Sequence, residues 1–165
     1  MKKIIIAGGC FWGVEAYYKK LKGVLDTSVG YANGNIPNPS YEDLKHHLAT
    51  HSEAVEITYD EKVITLTQLL DHMFRFIDPT SVNRQGNDIG LQYRTGVYYK
   101  DEEDKKTIEA FIAKQQKYYS DPIAVEIAKE ANYYLAEDYH QDYLEKNPQG
   151  YCHINFAHIK RGEQK

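Results

Sequence analysis

Lys2-Lys3-Ile4-Ile5-Ile6-Ala7-Gly8-Gly9-Cys10-Phe11-Trp12-Gly13-Val14 opens the chain and decides its fold class. Lys2 to Ala7 is a short apolar run and reads as a buried strand that Gly8-Gly9 ends. From Val14 the apolar residues fall at Val14, Tyr17, Tyr18 and Leu21, the i, i+3, i+4, i+7 spacing of an amphipathic helix. A strand that turns sharply into a helix is the unit from which layered α/β folds are built.

The same two periods alternate downstream. Val24–Tyr31 reads as a second strand, and Ala32–Ser40 as a turn-rich loop. Tyr41–Leu48 reads as a short helix, and Glu53–Tyr59 alternates as a strand. Leu66, Leu69, Leu70, Met73 and Ile77 mark a helix closed by Asp78-Pro79. Thr80–Gln92 is a polar loop, and Thr95–Tyr99 a strand. Asp101 can cap a helix whose first turn is acidic and whose stripe holds Ile108, Phe111 and Ile112. Ile123–Ala128 reads as a strand. Ala136, Tyr139, His140, Tyr143 and Leu144 read as the face of a last helix stopped by Asn147-Pro148. Helices interleaved with strands predict helices packed on a sheet.

The 165 residues carry a net charge of −4, which argues against nonspecific nucleic-acid binding. Charged residues are 27% and hydrophobic residues 42%, ordinary globular values. The apolar run at Ile4–Ala7 is too short for a signal peptide or a membrane span. The expectation is a cytoplasmic protein of one domain, 1–165, with no membrane association. Tyrosines number 15, against five Phe and one Trp, and there are two cysteines, Cys10 and Cys152. Two thiols are too few for a disulfide framework or a Cys₄ zinc site. They are either two small hydrophobes or a redox pair. His46 and His47 point to different sides of a helix, and no metal site is expected.

Cys10 sits where a strand gives way to a helix, and the free N–H groups of a first helical turn favour the thiolate. Three glycines around two bulky rings, Phe11 and Trp12, exceed what core packing requires and suggest a pocket for a small methyl-bearing group. Glu53 falls on the face of its strand that also carries Val55 and Ile57. Burial there would raise its pKa and make it a general acid near neutral pH. It could equally be a solvated residue at the strand's first position, and alternation alone does not choose. Asn83–Asp88 with Gln92-Tyr93-Arg94 is a dense polar loop that, unaided, reads as a solvated connection. Asn147–His153 places Cys152 after a helix stop and a glycine, on a segment expected to be mobile, where it is either a second thiol for Cys10 or a lone surface cysteine.

Taken together, these strings resemble the type A peptide-methionine sulfoxide reductase family. Gly9-Cys10-Phe11-Trp12-Gly13 with Glu15, Gly30-Tyr31-Ala32, Pro39-Ser40-Tyr41 and His51-Ser52-Glu53-Ala54-Val55 fall in the family's order. So do Asp78-Pro79-Thr80, Asn83–Asp88, Gln92-Tyr93-Arg94, Ala136–Gln141 and Asn147–Cys152. The resemblance implies an α+β fold: a two-layer sandwich with a central mixed sheet of ferredoxin-like type and a mostly irregular C-terminal segment over 146–165. It implies reduction of the S epimer of methionine sulfoxide, free or in proteins, with no cofactor. It gives Cys10 the role of nucleophile and Glu53 that of acid. Tyr41 and Tyr93 would hold the sulfoxide oxygen. Phe11 and Trp12 would wall the substrate methyl, with Asp88 as the pocket aspartate. It makes Cys152 the resolving thiol and thioredoxin the reductant of a monomeric enzyme. The family usually shows Gly-His-Ala-Glu where this chain has Thr50-His51-Ser52-Glu53, and a more Gly-rich approach than Lys45–Ala49. Two rival readings are a different thiol enzyme using Cys10, a peroxidase or a Cys hydrolase, and a non-enzymatic module that binds methionine sulfoxide.

Overall fold

The computed structural model describes residues 1–152 and 154–165. Eight strands occur among them: β1 Lys2–Ala7, β2 Val24–Ala32, β3 Ser52–Tyr59, β4 Arg84–Gln85, β5 Asp88–Ile89, β6 Gly96–Tyr99, β7 Glu126–Lys129 and β8 Tyr133–Leu135. The α-helices are α1 Phe11–Lys19, α2 Tyr41–Lys45, α3 Leu66–Phe76, α4 Glu102–Gln115 and α5 Tyr143–Lys146. Six strands form one mixed sheet in the order β7-β6-β1-β3-β2-β8; β6 and β7 are parallel and the other pairs antiparallel. β1, α1, β2, β3, α3 and β6 follow one another as two β-α-β crossovers, and each crossover leaves room for a strand of the other.

β1 lies inside the sheet, which is why Ile4, Ile5, Ile6 and Ala7 are all fully buried. One sheet face, carrying Ile4, Ile6, Val29, Tyr31, Val55, Ile57 and Val97, packs with the helices into the main core. The opposite face holds a smaller cluster of Ile5, Ala7, Ala32, Ala54 and Tyr98. α3 packs on α4 through an edge-to-face pair, Phe74 with Phe111, centroids 5.1 Å apart. Capping follows the sequence: Thr65 and Gln68 form a capping box on α3, Ser40 and Asp43 one on α2, and Asp101 caps α4.

Two readings change. The helix expected over Ala136–Leu144 does not form. β8 precedes it, a single 3₁₀ turn spans Asp138–His140, and α5 starts only at Tyr143. The Gln141 side chain bonds both the N–H and the C=O of Val29, and Asp142 is left-handed at φ 54°. The stretch is therefore tied to β2 as an irregular sheet margin, and two of the residues that gave it a helix-like spacing, His140 and Tyr143, pack on Trp12 instead. The loop Thr80–Gln92 contains the small β4–β5 hairpin, with the buried Gln85 side chain bonded to both backbone groups of Asp78.

The C-terminal segment after α5 lacks strands and α-helices among its described residues, as the family resemblance implies. Its end is docked. Leu21 bridges Gln164, the Lys22 N–H donates to Glu163 O, and the Lys165 N–H donates to Lys20 O. Arg75 grips the Glu163 carboxylate with both guanidinium arms at 2.7 and 2.8 Å.

Candidate active site

Cys10 is the N-cap residue of α1, with φ −56° and ψ 121°, directly after Gly9 at φ +92°. A left-handed Gly9 turns the chain out of β1 without Cβ strain. The Trp12 and Gly13 N–H groups point at the Cys10 sulfur and favour the thiolate, as the helix start predicts. They do not win. Burial, with the neighbouring Glu53 next and Asp88 adding to it, holds the thiol well above its usual range. The expectation of a lowered Cys10 pKa is corrected by this enclosure, since Cys10 is 7% exposed.

Glu53 is the second residue of β3 and is 2% exposed, so the solvated alternative is excluded. Its Oε1 accepts the Phe11 N–H at 3.3 Å, which places the carboxyl beside Cys10. Burial pushes its pKa to about 8; the Phe11 N–H opposes this and Asp88 adds to it. Tyr41 opens α2, with the Tyr93 side chain beside its hydroxyl. Burial and the nearby Glu53 push the Tyr41 pKa to about 12, and they raise Tyr93 as well. Asp88, on β5, accepts the Tyr151 hydroxyl at 2.9 Å. The polar loop thus reaches the site through Asp88 and Tyr93, while Asn83, Arg84, Gly86 and Asn87 stay exposed. Phe11 packs against Tyr31 and His140, with centroids at 5.8 and 5.2 Å.

Cys152 is free, as is Cys10. Its sulfur lies against Gly13, beside a cavity of about 280 Å³ lined by Ala16, Lys20, Leu144 and Phe156 among others. His153, quoted with it above, lies outside the described residues.

Several residues in the site carried no sequence-level argument. His140, expected only to be packed or hydrogen-bonded, accepts the Trp12 indole N–H on Nδ1 at 2.9 Å and touches Phe11, Tyr41 and Tyr139. Tyr143 stacks on Trp12, centroids 3.8 Å apart and 10° from parallel. Glu137 accepts the Tyr31 hydroxyl on one oxygen and the Tyr41 N–H on the other. Glu137 lay in the Ala136–Gln141 string of the resemblance without a role, because its partners are 96 or more residues away. The Thr50 departure is accommodated. Thr50 is not among the positive-φ residues, whereas His47 is, at φ 62°. The need for glycine-like freedom thus falls three residues earlier.

The family model described as Peptide methionine sulfoxide reductase matches residues 2–165. The chain belongs to that family. A relative from Mycoplasma genitalium, named peptide methionine sulfoxide reductase MsrA, is 56% identical over 156 residues, covering 94% of this chain and 99% of its own length. One of the same name from Clostridium acetobutylicum is 56% identical over 161 residues, covering 98% and 99%. Among solved structures, Mxr1 from Saccharomyces cerevisiae in reduced form superposes with a TM-score of 0.88 at 40% identity, covering 93% of this chain and 91% of that one. Mxr1 in complex with Trx2 is similar with a TM-score of 0.61 at 31% identity, covering 86% and 84%. The fold brings Cys10, Glu53, Tyr41, Tyr93 and Asp88 to one place, with Phe11 and Trp12 beside them. Cys152 packs on Gly13 of the same helix, three residues after Cys10. Among the described residues, no helix is long and apolar enough to cross a membrane.

Proposed function

We propose that this chain reduces the S epimer of methionine sulfoxide, free or in proteins, to methionine, and that Cys10 and Glu53 carry the chemistry. The supporting observation is their juxtaposition: a buried thiol at a helix start beside a buried carboxyl that stays protonated up to about pH 8. Neither group ionises readily while the other is close, so the resting site holds a thiol and an acid. The sulfoxide oxygen accepts hydrogen bonds from Tyr41 and Tyr93 and a proton from Glu53. Cys10 attacks the sulfoxide sulfur, and its thiol proton passes to the Glu53 carboxylate in place of the one Glu53 gave to the oxygen. The oxygen passes to Cys10 as a sulfenic acid, Cys10 supplies two electrons, and methionine leaves. Phe11 and Trp12 wall the substrate methyl, and Asp88 orders the polar side of the pocket.

Cys152 then attacks the sulfenic sulfur. The S–S bond forms and the oxygen leaves as water, taking the Cys152 proton. The stretch around Cys152, between α5 and the docked end at Glu163–Lys165, moves to bring the two sulfurs together. A thioredoxin dithiol reduces the disulfide by exchange; the solved complex of the related Mxr1 with Trx2 supports that reductant. A thioredoxin partner suits a cytoplasmic enzyme, where thiols are kept reduced.

The test is single-turnover reaction of fully reduced protein with each separated epimer of a methionine sulfoxide peptide, followed by a thiol count. Conversion of the S epimer alone with loss of both thiols is expected. Conversion with one thiol lost removes the role of Cys152. No conversion of either epimer rejects the reading and favours a peroxidase, a hydrolase or a binding module.

A further inference from the structure

Glu15 takes no part in the steps above, although it belongs to the first motif and is 2% exposed. It lies on α1, three residues beyond Trp12, so the two share one side of the helix. Its Oε2 accepts the Thr27 hydroxyl of β2 at 2.8 Å, and its Oε1 accepts the Asp142 N–H at 2.8 Å. Asp142 is left-handed, at φ 54° and ψ 34°, a conformation a non-glycine residue keeps only when its surroundings hold it there. Glu15 holds its N–H, and Lys19 pairs with its carboxylate and with Glu145. The next residue is Tyr143, which stacks on Trp12 at 3.8 Å.

We propose that Glu15 is a positioning residue: by clamping the 141–143 corner onto α1 it fixes Tyr143 against Trp12 and so sets the shape of the aromatic substrate pocket. This rests on the reading of Trp12 as a substrate wall. A carboxylate suits the task because it offers two acceptor oxygens to two donors from different elements, Thr27 on β2 and Asp142 before α5. Without it the Asp142 N–H loses its partner. The left-handed corner relaxes, and Tyr143 can leave the indole. The loss falls on substrate binding, not on the chemical step, because Cys10, as the N-cap of α1, and Glu53, bonded to the Phe11 N–H from β3, are held by contacts other than those of Thr27 and Asp142.

The experiment is single-turnover methionine formation by reduced protein at increasing concentrations of the S-sulfoxide peptide, with intrinsic fluorescence recorded in parallel. Trp12 is the single tryptophan, so emission reads its stack directly. In Glu15→Leu the half-saturating concentration rises about tenfold while the limiting rate changes less than about threefold. The Trp12 emission also shifts. In Glu15→Gln both stay near wild type, because the amide oxygen still accepts from Asp142 and the NH₂ donates to Thr27 Oγ1. If Glu15→Leu does not fold, Thr27→Val releases one side of the clamp. A smaller change in half-saturation and emission, of the same sign, is then expected. An unchanged half-saturating concentration and emission in the folded variant overturns the proposal, as does a loss confined to the limiting rate. Trp12→Phe separates the two readings. If it leaves half-saturation unchanged, the substrate wall itself is wrong; if it raises half-saturation while Glu15→Leu does not, only the clamp fails.

Discussion

Cys152 packs its sulfur onto the bare backbone of Gly13: a Cβ at that position would lie 2.8 Å from Sγ and 3.2 Å from Ile154 Cδ1. Gly13 is three residues after Cys10 on the same helix start, a rise of about 4.5 Å along the axis. The second thiol therefore packs on the same helix start that Cys10 caps, against a residue without a side chain. Gly13→Ala fills that contact. The backbone N–H that faces Cys10 is retained, and alanine favours the helix by about 1 kcal/mol. Methionine formation in a single turnover is expected to keep its rate, while loss of the second thiol slows by about tenfold because Cys152 and Ile154 are displaced. Quenched thiol counts over time would show this, and two thiols lost at the wild-type rate would refute it.

Ser52 stands where the family usually has alanine, and the structure gives it a partner. Its hydroxyl lies 2.9 Å from that of Tyr98, and both residues are fully buried. Ser52→Ala restores the usual residue but removes that partner from a buried phenol, at a cost of about 1 kcal/mol. Tyr98→Phe in the same background removes the orphaned hydroxyl, so the second substitution costs less than it does alone. Chemical denaturation of the four proteins measures the coupling. Additive losses would mean that the contact stabilises nothing.

The two periods of the sequence exposed most of the sheet and three of its helices, because β1, β3 and α3 carry patterns that local chemistry enforces. The site was legible where it depended on a helix start or on alternation: Cys10 at its turn, and Glu53 on the face of Val55 and Ile57. It was illegible where a long-range bond decided the outcome. Gln141 replaces a strand neighbour for Val29, and Glu15 captures the Asp142 N–H, so a helical spacing became an irregular corner. The pKa of Cys10 failed for a related reason. A helix start is visible in sequence, but the burial that outweighs it is not, nor are the carboxyls that add to it, Glu53 and Asp88, which are distant in the chain.

Arg75 and Glu163 tie the end of the chain to α3, and this contact titrates. The guanidinium beside Glu163 holds its carboxyl down at about 2, below the ordinary 4.5. A lowered folded-state pKa contributes stability at neutral pH that disappears as the pH falls from about 4.5 towards 2. Because the pair is partly exposed, screening reduces its contribution to about 1 kcal/mol. Glu163→Gln should lower the melting temperature at pH 7 and have no effect near pH 2. An equal loss at both values would assign the effect to packing.

Glu53 titrates in the opposite sense, and its two roles conflict. Its folded-state pKa is about 8 against an ordinary 4.5. Between these values the folded protein keeps a proton that the unfolded chain has lost, so stability falls as the pH rises through this window. The slope from this one group is at most about 1.4 kcal/mol per pH unit. Glu53→Gln cannot ionise, yet its amide oxygen still accepts the Phe11 N–H. The variant should therefore melt higher than wild type at pH 8 and much like it at pH 4. Its methionine-forming step should be slower by about 10²–10⁴-fold at pH 7, because the proton donor is gone. In the wild-type protein that step should lose rate as the pH rises through about 8, and the variant should lack this limb. Rapid-quench rates and thermal melts from pH 4 to 9 test both halves. A variant that is slow but no more stable at pH 8 would mean that the Glu53 carboxyl is already ionised in the folded protein, and the acid would then have to be sought at Tyr41 or Tyr93.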